Sequence, residues 1–472
     1  MPGADEGGSL RDRDSAGGRS ASSRRGYLVF VALSLIVFAP ALGIGFRDDD
    51  FAFLAHVREH GGSGSLLGRS DAFTFHRPGA TALFYLEYVL FGLHPGAYLA
   101  FNYGLHLGIS LVLRSLFLAQ GAPPRLADTA SGLFLVGYAH YGKQVMWACT
   151  SGPLASVLLA GMALRAVLWV EGDRALGSWR RRLAWTAILA ALWVGPSLHE
   201  SSLVAPLLIL LLARRRKTRA VVLALALVAA AMWIAPRWAI AGANEASRPT
   251  WPRLFHAPIY LLRYVGFMLV PFQPRALASL WGEHGALLRV VSSVAHGAIG
   301  AAAFALMAAR RGRASEPVRF ACLWLPLALL PFCLVGIPEG WMELRYTYFA
   351  AAPLSLAVAA ALLALPRVVG RSILAGLIVA SALLVVGLGL KYRRDAKEPR
   401  NTNRLRDLQA LSIRPQPVVH AVPAPATQSP RDPERDRGGF ARGASPAMAG
   451  RPLVGSWLSA SRSWGSAAPT RP

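Results

Sequence analysis

Apolar runs close to twenty residues long, broken by short connections that carry arginine, recur between residues 27 and 390 of this chain. A helix needs roughly 20 such residues to cross about 30 Å of hydrocarbon, so each run has the length of a membrane span. The chain is 54% hydrophobic, with a mean hydropathy of +0.39. A soluble fold of 472 residues would have to bury more apolar surface than its polar content covers, whereas lipid accepts it directly. The fold class that follows is all-α, a polytopic transmembrane bundle. The formal charge of +25 would suggest nucleic acid in a soluble protein. Here the arginines gather in the connections, the pattern of cytoplasmic loops, so the implied partner is membrane lipid and nucleic acid is excluded. Cys149, Cys322 and Cys333 lie in or beside apolar stretches without metal-ligand spacing, which argues against a disulfide framework or zinc site.

The runs predict about eleven spans. The first is Tyr27 to Phe46, introduced by Arg24 and Arg25 and read as an anchor, which leaves residues 1–26 as a polar, disordered cytoplasmic tail. Ala97 to Leu118, Ala127 to Trp147, Pro153 to Val170, Leu183 to Leu198, Leu203 to Ala213 and Ala220 to Ile240 follow. The semi-apolar stretch Pro258 to Phe272 is expected to lie along the interface or to re-enter. Ala286 to Ala309, Phe320 to Ile337, Tyr346 to Leu365 and Ser372 to Leu390 complete the set and put the carboxyl tail outside. Residues 27–390 then form the membrane domain, and 391–472, rich in Pro, Arg and Ser, are expected to be disordered.

This topology gathers unusual polar groups on the extracytoplasmic side. Asp48, Asp49 and Asp50 stand side by side at the exit of the first span, where ionisable residues are costly and mark candidate sites; the plain alternative is that they stop the helix at the water interface. The same loop carries Arg77-Pro78 and then an apolar stretch, Thr81 to Leu93, expected as an amphipathic helix on the membrane surface. Tyr98, Asn102 and His106 share one helix face at i, i+4, i+8, a stripe that more often joins helices than binds substrate. His140, Lys143 and Trp147, then His199-Glu200, and finally Glu343-Leu344-Arg345-Tyr346 fall at later turns on that side.

The order of these features resembles the GT-C superfamily of integral-membrane glycosyltransferases, in particular the branch of protein O-mannosyltransferases. The resemblance is carried by Phe46-Arg47-Asp48-Asp49-Asp50-Phe51, Arg77-Pro78, Phe91-Gly92-Leu93-His94-Pro95, Asn102-Tyr103-Gly104-Leu105-His106, Glu200 and Glu343-Leu344-Arg345-Tyr346-Thr347-Tyr348, and covers residues 27 to about 395. The chain departs from the pattern where Leu344 is inserted before Arg345, and it has no tetratricopeptide extension. Three aspartates stand where relatives have an acidic pair, so which of them is the base stays open, with Phe51 and Leu54 favouring Asp49 and Asp50.

The resemblance implies transfer of a sugar from a polyprenyl-phosphate donor to an extracytoplasmic acceptor hydroxyl with inversion, in a bacterial-type inner membrane; the acceptor, whether protein, glycan or lipid, is not specified. An aspartate at the membrane edge would deprotonate the acceptor. Two carboxylates about 5 Å apart at an effective dielectric near 20 repel by about 3 kcal/mol, enough to raise one pKa by roughly two. Arg345, Arg77 and Lys143 are the candidates for the departing phosphate, Arg345 first because guanidinium binds phosphate bidentately. His199, Glu200, Glu343, Tyr346, Asn102 and His106 are assigned to orienting substrate. The resemblance specifies no cofactor; a divalent cation on the aspartates is the secondary reading. The competing classes are a transporter or flippase of lipid-linked sugars and a noncatalytic scaffold. A transporter tends to place charges at the midplane of repeated halves, whereas these lie at loop edges and no repeat is seen.

Overall fold

A computed structural model of the chain describes residues 27–67, 77–137, 144–172, 177–241, 251–270, 285–310, 315–335 and 347–413. These residues are helical, with no strand among them. Residues 1–407 fall in one compact unit; of the second, 408–472, only the end of the last helix is described. The helices are α1 (Tyr27–Gly43), α2 (Asp49–Leu67), α3 (Pro78–Phe91), α4 (Pro95–Ala119), α5 (Pro124–Val136), α6 (Ser151–Gly172), α7 (Ser178–Trp193), α8 (Ala205–Leu212), α9 (Arg216–Ala241), α10 (Trp251–Leu269), α11 (Gly285–Arg310), α12 (Glu316–Val335), α13 (Tyr348–Ala364), α14 (Arg367–Ala396) and α15 (Pro399–Ile413).

Proline sets several of the starts. Pro78, Pro95 and Pro124 each occupy the first helical position, where the missing N–H costs nothing and the fixed φ suits the helix. Between α3 and α4 the chain stops and restarts within four residues. Gly92 takes φ 57°, its N–H donating to the Tyr88 carbonyl, and the Tyr98 hydroxyl donates to Gly92 O from the next helix.

Five of the described helices are long and apolar enough to cross a membrane, and α1, α8 with its preceding turn, and α13 are shorter apolar helices. The central core packs α4, α6 and α7 together with α5, α12 and α13, around Phe117, Phe134, Leu164, Trp324 and Phe349. Large apolar side chains stay exposed on the outer faces, among them Ile36, Leu227, Val294 and Leu383, as in a bundle whose solvent is lipid.

The stretch Pro258 to Phe272, as far as it is described, belongs to α10, which packs on α11 and α12. Gly266 faces the His296 backbone and Gly300 the Leu262 backbone so closely that a Cβ at either would overlap a carbonyl, the small-residue contact that brings membrane helices together. The chain also stays ordered past Lys391. α14 continues to Ala396 and α15 follows, because Tyr392 is buried with Phe38, Ile44, Leu99 and Val385, and Asn401 Nδ2 donates to Asp395 O.

The two ends of the bundle differ in charge chemistry. At one, Arg214 pairs with Glu316, and the Arg215 N–H donates to Glu171 across 3.0 Å, tying α6, α8 and α12 through the arginine connections. At the other lie residues 44–50, the starts of α3 and α6, and the end of α14. The carboxyl end of α14 therefore shares the end of the bundle that holds the aspartates.

Candidate active site

The three aspartates do not act as a cluster. After α1 the backbone is extended, turns at Asp48 with φ 46°, and enters α2 with Asp49 and Asp50 in its first turn, where carboxylates suit the helix dipole. Asp48 is the one non-glycine residue with positive φ among the described residues, a conformation aspartate tolerates better than most. Asp48 and Asp49 point to the surface, while Asp50 is 1% exposed. Its Oδ2 accepts from the Arg47 N–H at 3.0 Å and its Oδ1 from the Cys149 N–H at 2.8 Å, and its own N–H donates to the Arg47 carbonyl at 2.9 Å. Burial pushes the Asp50 carboxyl from its ordinary 3.8 up to about 7, against the lowering effect of those N–H groups and of the Arg47 charge. Repulsion between neighbouring carboxylates, the cause expected from the sequence, is not what raises it.

Desolvation dominates because the walls are aromatic. Phe46 and Phe84 lie 5.4 Å from the ring of Tyr98, and Phe91 5.5 Å. A second buried carboxyl stands in this environment: Glu87 of α3 is 2% exposed, and neither of its oxygens has a partner at hydrogen-bond geometry, Ser151 being its polar neighbour. Burial first, then the charge of Asp50, pushes Glu87 up to about 8. The sequence reading passed over Glu87, although a lone carboxyl inside the apolar run Thr81 to Leu93 was a visible signal.

Arg47 was missed as well. It is 5% exposed, its guanidinium carbon lies 3.5 Å from the Tyr392 ring centroid and 5.0 Å from that of Trp147, Nη2 donates to Met146 O, and Nε has no partner. The chain thus places a buried cation against the two sides of the Asp50 turn.

Arg77 and Glu200, assigned to separate tasks by the sequence, form one bidentate pair. Nε donates to Oε2 at 2.8 Å and Nη2 meets Oε1, both side chains staying about a fifth exposed. His199 lies beside them, its Nε2 3.9 Å from Glu200, and caps the turn Glu200–Val204 by accepting the Ser201 N–H on Nδ1. The start of α6 connects this pair to Asp50. Cys149 binds Asp50, while Gly152 sits against Ala80 of α3 and the Leu198 carbonyl.

Asn102 and His106, expected to orient substrate, are fully buried and join helices instead. Asn102 Nδ2 donates to Trp147 O at 2.7 Å; His106 Nε2 meets Leu135 O at 3.0 Å and Nδ1 the Tyr348 hydroxyl at 2.6 Å. Arg345, Lys143, Glu343 and Tyr346 lie outside the described residues. Among the described residues, no three carboxylate, imidazole or thiol side chains converge as metal ligands would.

No family model and no curated protein matches the chain. A crystal structure of ArnT from Cupriavidus metallidurans in the apo state superposes with a TM-score of 0.35 at 18% identity, over 78% of this chain and 75% of that one. A TM-score that low falls short of a shared fold.

Proposed function

We propose that the protein is a membrane glycosyltransferase of the GT-C type that moves a sugar from a polyprenyl-phosphate donor to an acceptor hydroxyl. The observation that carries this reading is Asp50, a carboxyl just beyond the first span whose surroundings bring its pKa to about 7, the range a general base uses at neutral pH. The ionised Asp50 takes the acceptor's proton as its oxygen attacks the anomeric carbon. The bond from that carbon to the phosphate oxygen breaks on the opposite face, the phosphate leaves with the electron pair, and the configuration inverts. Glu87, protonated at neutral pH, keeps the pocket at a single negative charge.

The phosphate needs positive charge at the same end of the bundle. Arg345 and Lys143 keep the assignment the resemblance gave them, and Arg47 joins them. Arg77 is held by Glu200 and acts chiefly to fix the start of α3 against the turn at residues 199–204. The arginine end faces the cytoplasm and the aspartate end the exterior, as the positive-inside bias requires.

The test uses the full chain in lipid nanodiscs with a labelled polyprenyl-phosphate sugar, together with mass spectrometry of cellular glycans. Asp50→Asn is expected to abolish donor consumption and alter the glycan profile, and Asp49→Asn to retain most activity. Unchanged glycans with Asp50→Asn present in the membrane would favour a transporter or a scaffold.

A further inference from the structure

The end of the last long helix reaches across the bundle to the loop that carries Asp50. Residues 43–51 are followed along their length by residues 392–404: Arg393 lies against Gly43, Ala396 against Gly45, Tyr392 against Arg47 and Arg404 over Phe51 at 5.7 Å. The tightest of these contacts is the stack of Arg47 on Tyr392, 3.5 Å from guanidinium carbon to ring centroid, with the two residues 5% and 6% exposed.

Arg47 is also the residue that holds Asp50. Its N–H donates to Asp50 Oδ2, its carbonyl accepts the Asp50 N–H, and its guanidinium reaches Met146 O, three residues before the Cys149 N–H that binds the other Asp50 oxygen. Fixing the Arg47 side chain therefore fixes both N–H groups that aim the carboxylate. Trp147 covers the guanidinium more distantly, at 5.0 Å, so the nearer face is supplied by Tyr392, more than 300 positions along the chain from Arg47.

We infer that Tyr392 is a positioning residue for Asp50, its ring clamping Arg47 so that the Arg47–Asp50 turn stays seated against Cys149. The kinetic consequence rests on the glycosyltransferase reading; the seating itself does not. A residue that only filled space among Phe38, Ile44, Leu99 and Val385 would be replaced equally well by another apolar side chain of similar size. A clamp requires an aromatic face for the cation.

The experiment uses the full chain with Cys322→Ser and Cys333→Ser, leaving Cys149 as its sole thiol, in nanodiscs. Maleimide labelling of Cys149 is expected to quicken about tenfold in Tyr392→Leu and to stay within about twofold of the parent in Tyr392→Phe, with Arg47→Lys behaving like the leucine variant. Turnover of the labelled donor is expected to lose about tenfold in kcat in Tyr392→Leu with KM within about twofold, and to be rescued in Tyr392→Phe. Parent-like labelling in Tyr392→Leu, or equally fast labelling in the Phe and Leu variants, overturns the clamp. If no protein turns over donor, the glycosyltransferase reading fails and the labelling ratio still decides the role of Tyr392.

Discussion

Replacing Asp50 by asparagine is expected to remove activity and, at alkaline pH, to make the folded protein more stable. The carboxyl is ionised in the unfolded chain above its ordinary 3.8, but in the folded protein only above about 7. That difference corresponds to roughly 4 kcal/mol of burial cost at full ionisation. Below about pH 4 both states are protonated and the cost is absent. Between pH 4 and 7 the folded state holds the proton that the unfolded state has released, so stability falls as pH rises; above pH 7 the whole cost is present. Asparagine carries no charge and avoids it. Its one carbonyl oxygen satisfies only one of the Arg47 and Cys149 N–H groups, a loss of about 1–2 kcal/mol. The variant should therefore be more stable than the parent by about 2–3 kcal/mol at pH 8 and about equally stable at pH 5. Apparent melting midpoints in detergent at the two pH values, with donor turnover measured on the same samples, test this. A variant that melts below the parent at pH 8 would refute the claim that burial sets the Asp50 pKa, and one that keeps full turnover would refute its role as base.

Glu87→Gln should leave the melting midpoint almost unchanged at pH 4, where folded and unfolded carboxyls are both protonated, and raise it by the equivalent of about 3 kcal/mol at pH 7, where the unfolded chain has released the proton that the buried acid keeps; an equal loss at both would show that burial does not hold Glu87 protonated. Donor turnover in the parent is expected to rise with pH to half-maximum near pH 7 as Asp50 ionises, a limb that a pH–rate profile would reveal. Arg77→Ala and Glu200→Ala should couple by about 1 kcal/mol in a double-mutant cycle of thermal stability, the value for a partly exposed bidentate pair rather than a buried one. Gly266→Ala should cost about 1–3 kcal/mol or prevent accumulation of folded protein, because the new Cβ meets the His296 backbone, whereas Gly297→Ala meets only the Arg263 side chain and should be silent.

Particular residues show why parts of the site were legible in advance and others were not. The stripe of Tyr98, Asn102 and His106 was visible because helical spacing alone places them on one face, and the structure gives that face the helix-joining role that such stripes usually have. Asp48, Asp49 and Asp50 were visible as a group but not as individuals. Which carboxylate turns inward depends on the left-handed turn at Asp48 and on the Cys149 N–H almost a hundred residues away. Glu87 left a signal in its isolation within an apolar run. Arg47 left none, since an arginine after a membrane span ordinarily meets water or headgroups.

Hydropathy and arginine placement by themselves determined that this chain is an all-helical bundle with apolar outer faces, because span length and the cost of unpaired backbone in lipid act locally on each segment. They also indicated that the turn at Asp48–Asp50 and the arginine connection at residues 214–216 lie at opposite ends, since parity along the chain fixes which turns share an end. Only the tertiary structure decided that Arg77 meets Glu200, that Glu87 shares a dry aromatic pocket with Asp50, and that Tyr392 seats Arg47. Desolvation and stacking depend on which side chains from distant segments exclude water from one another, and no spacing within a single segment encodes that.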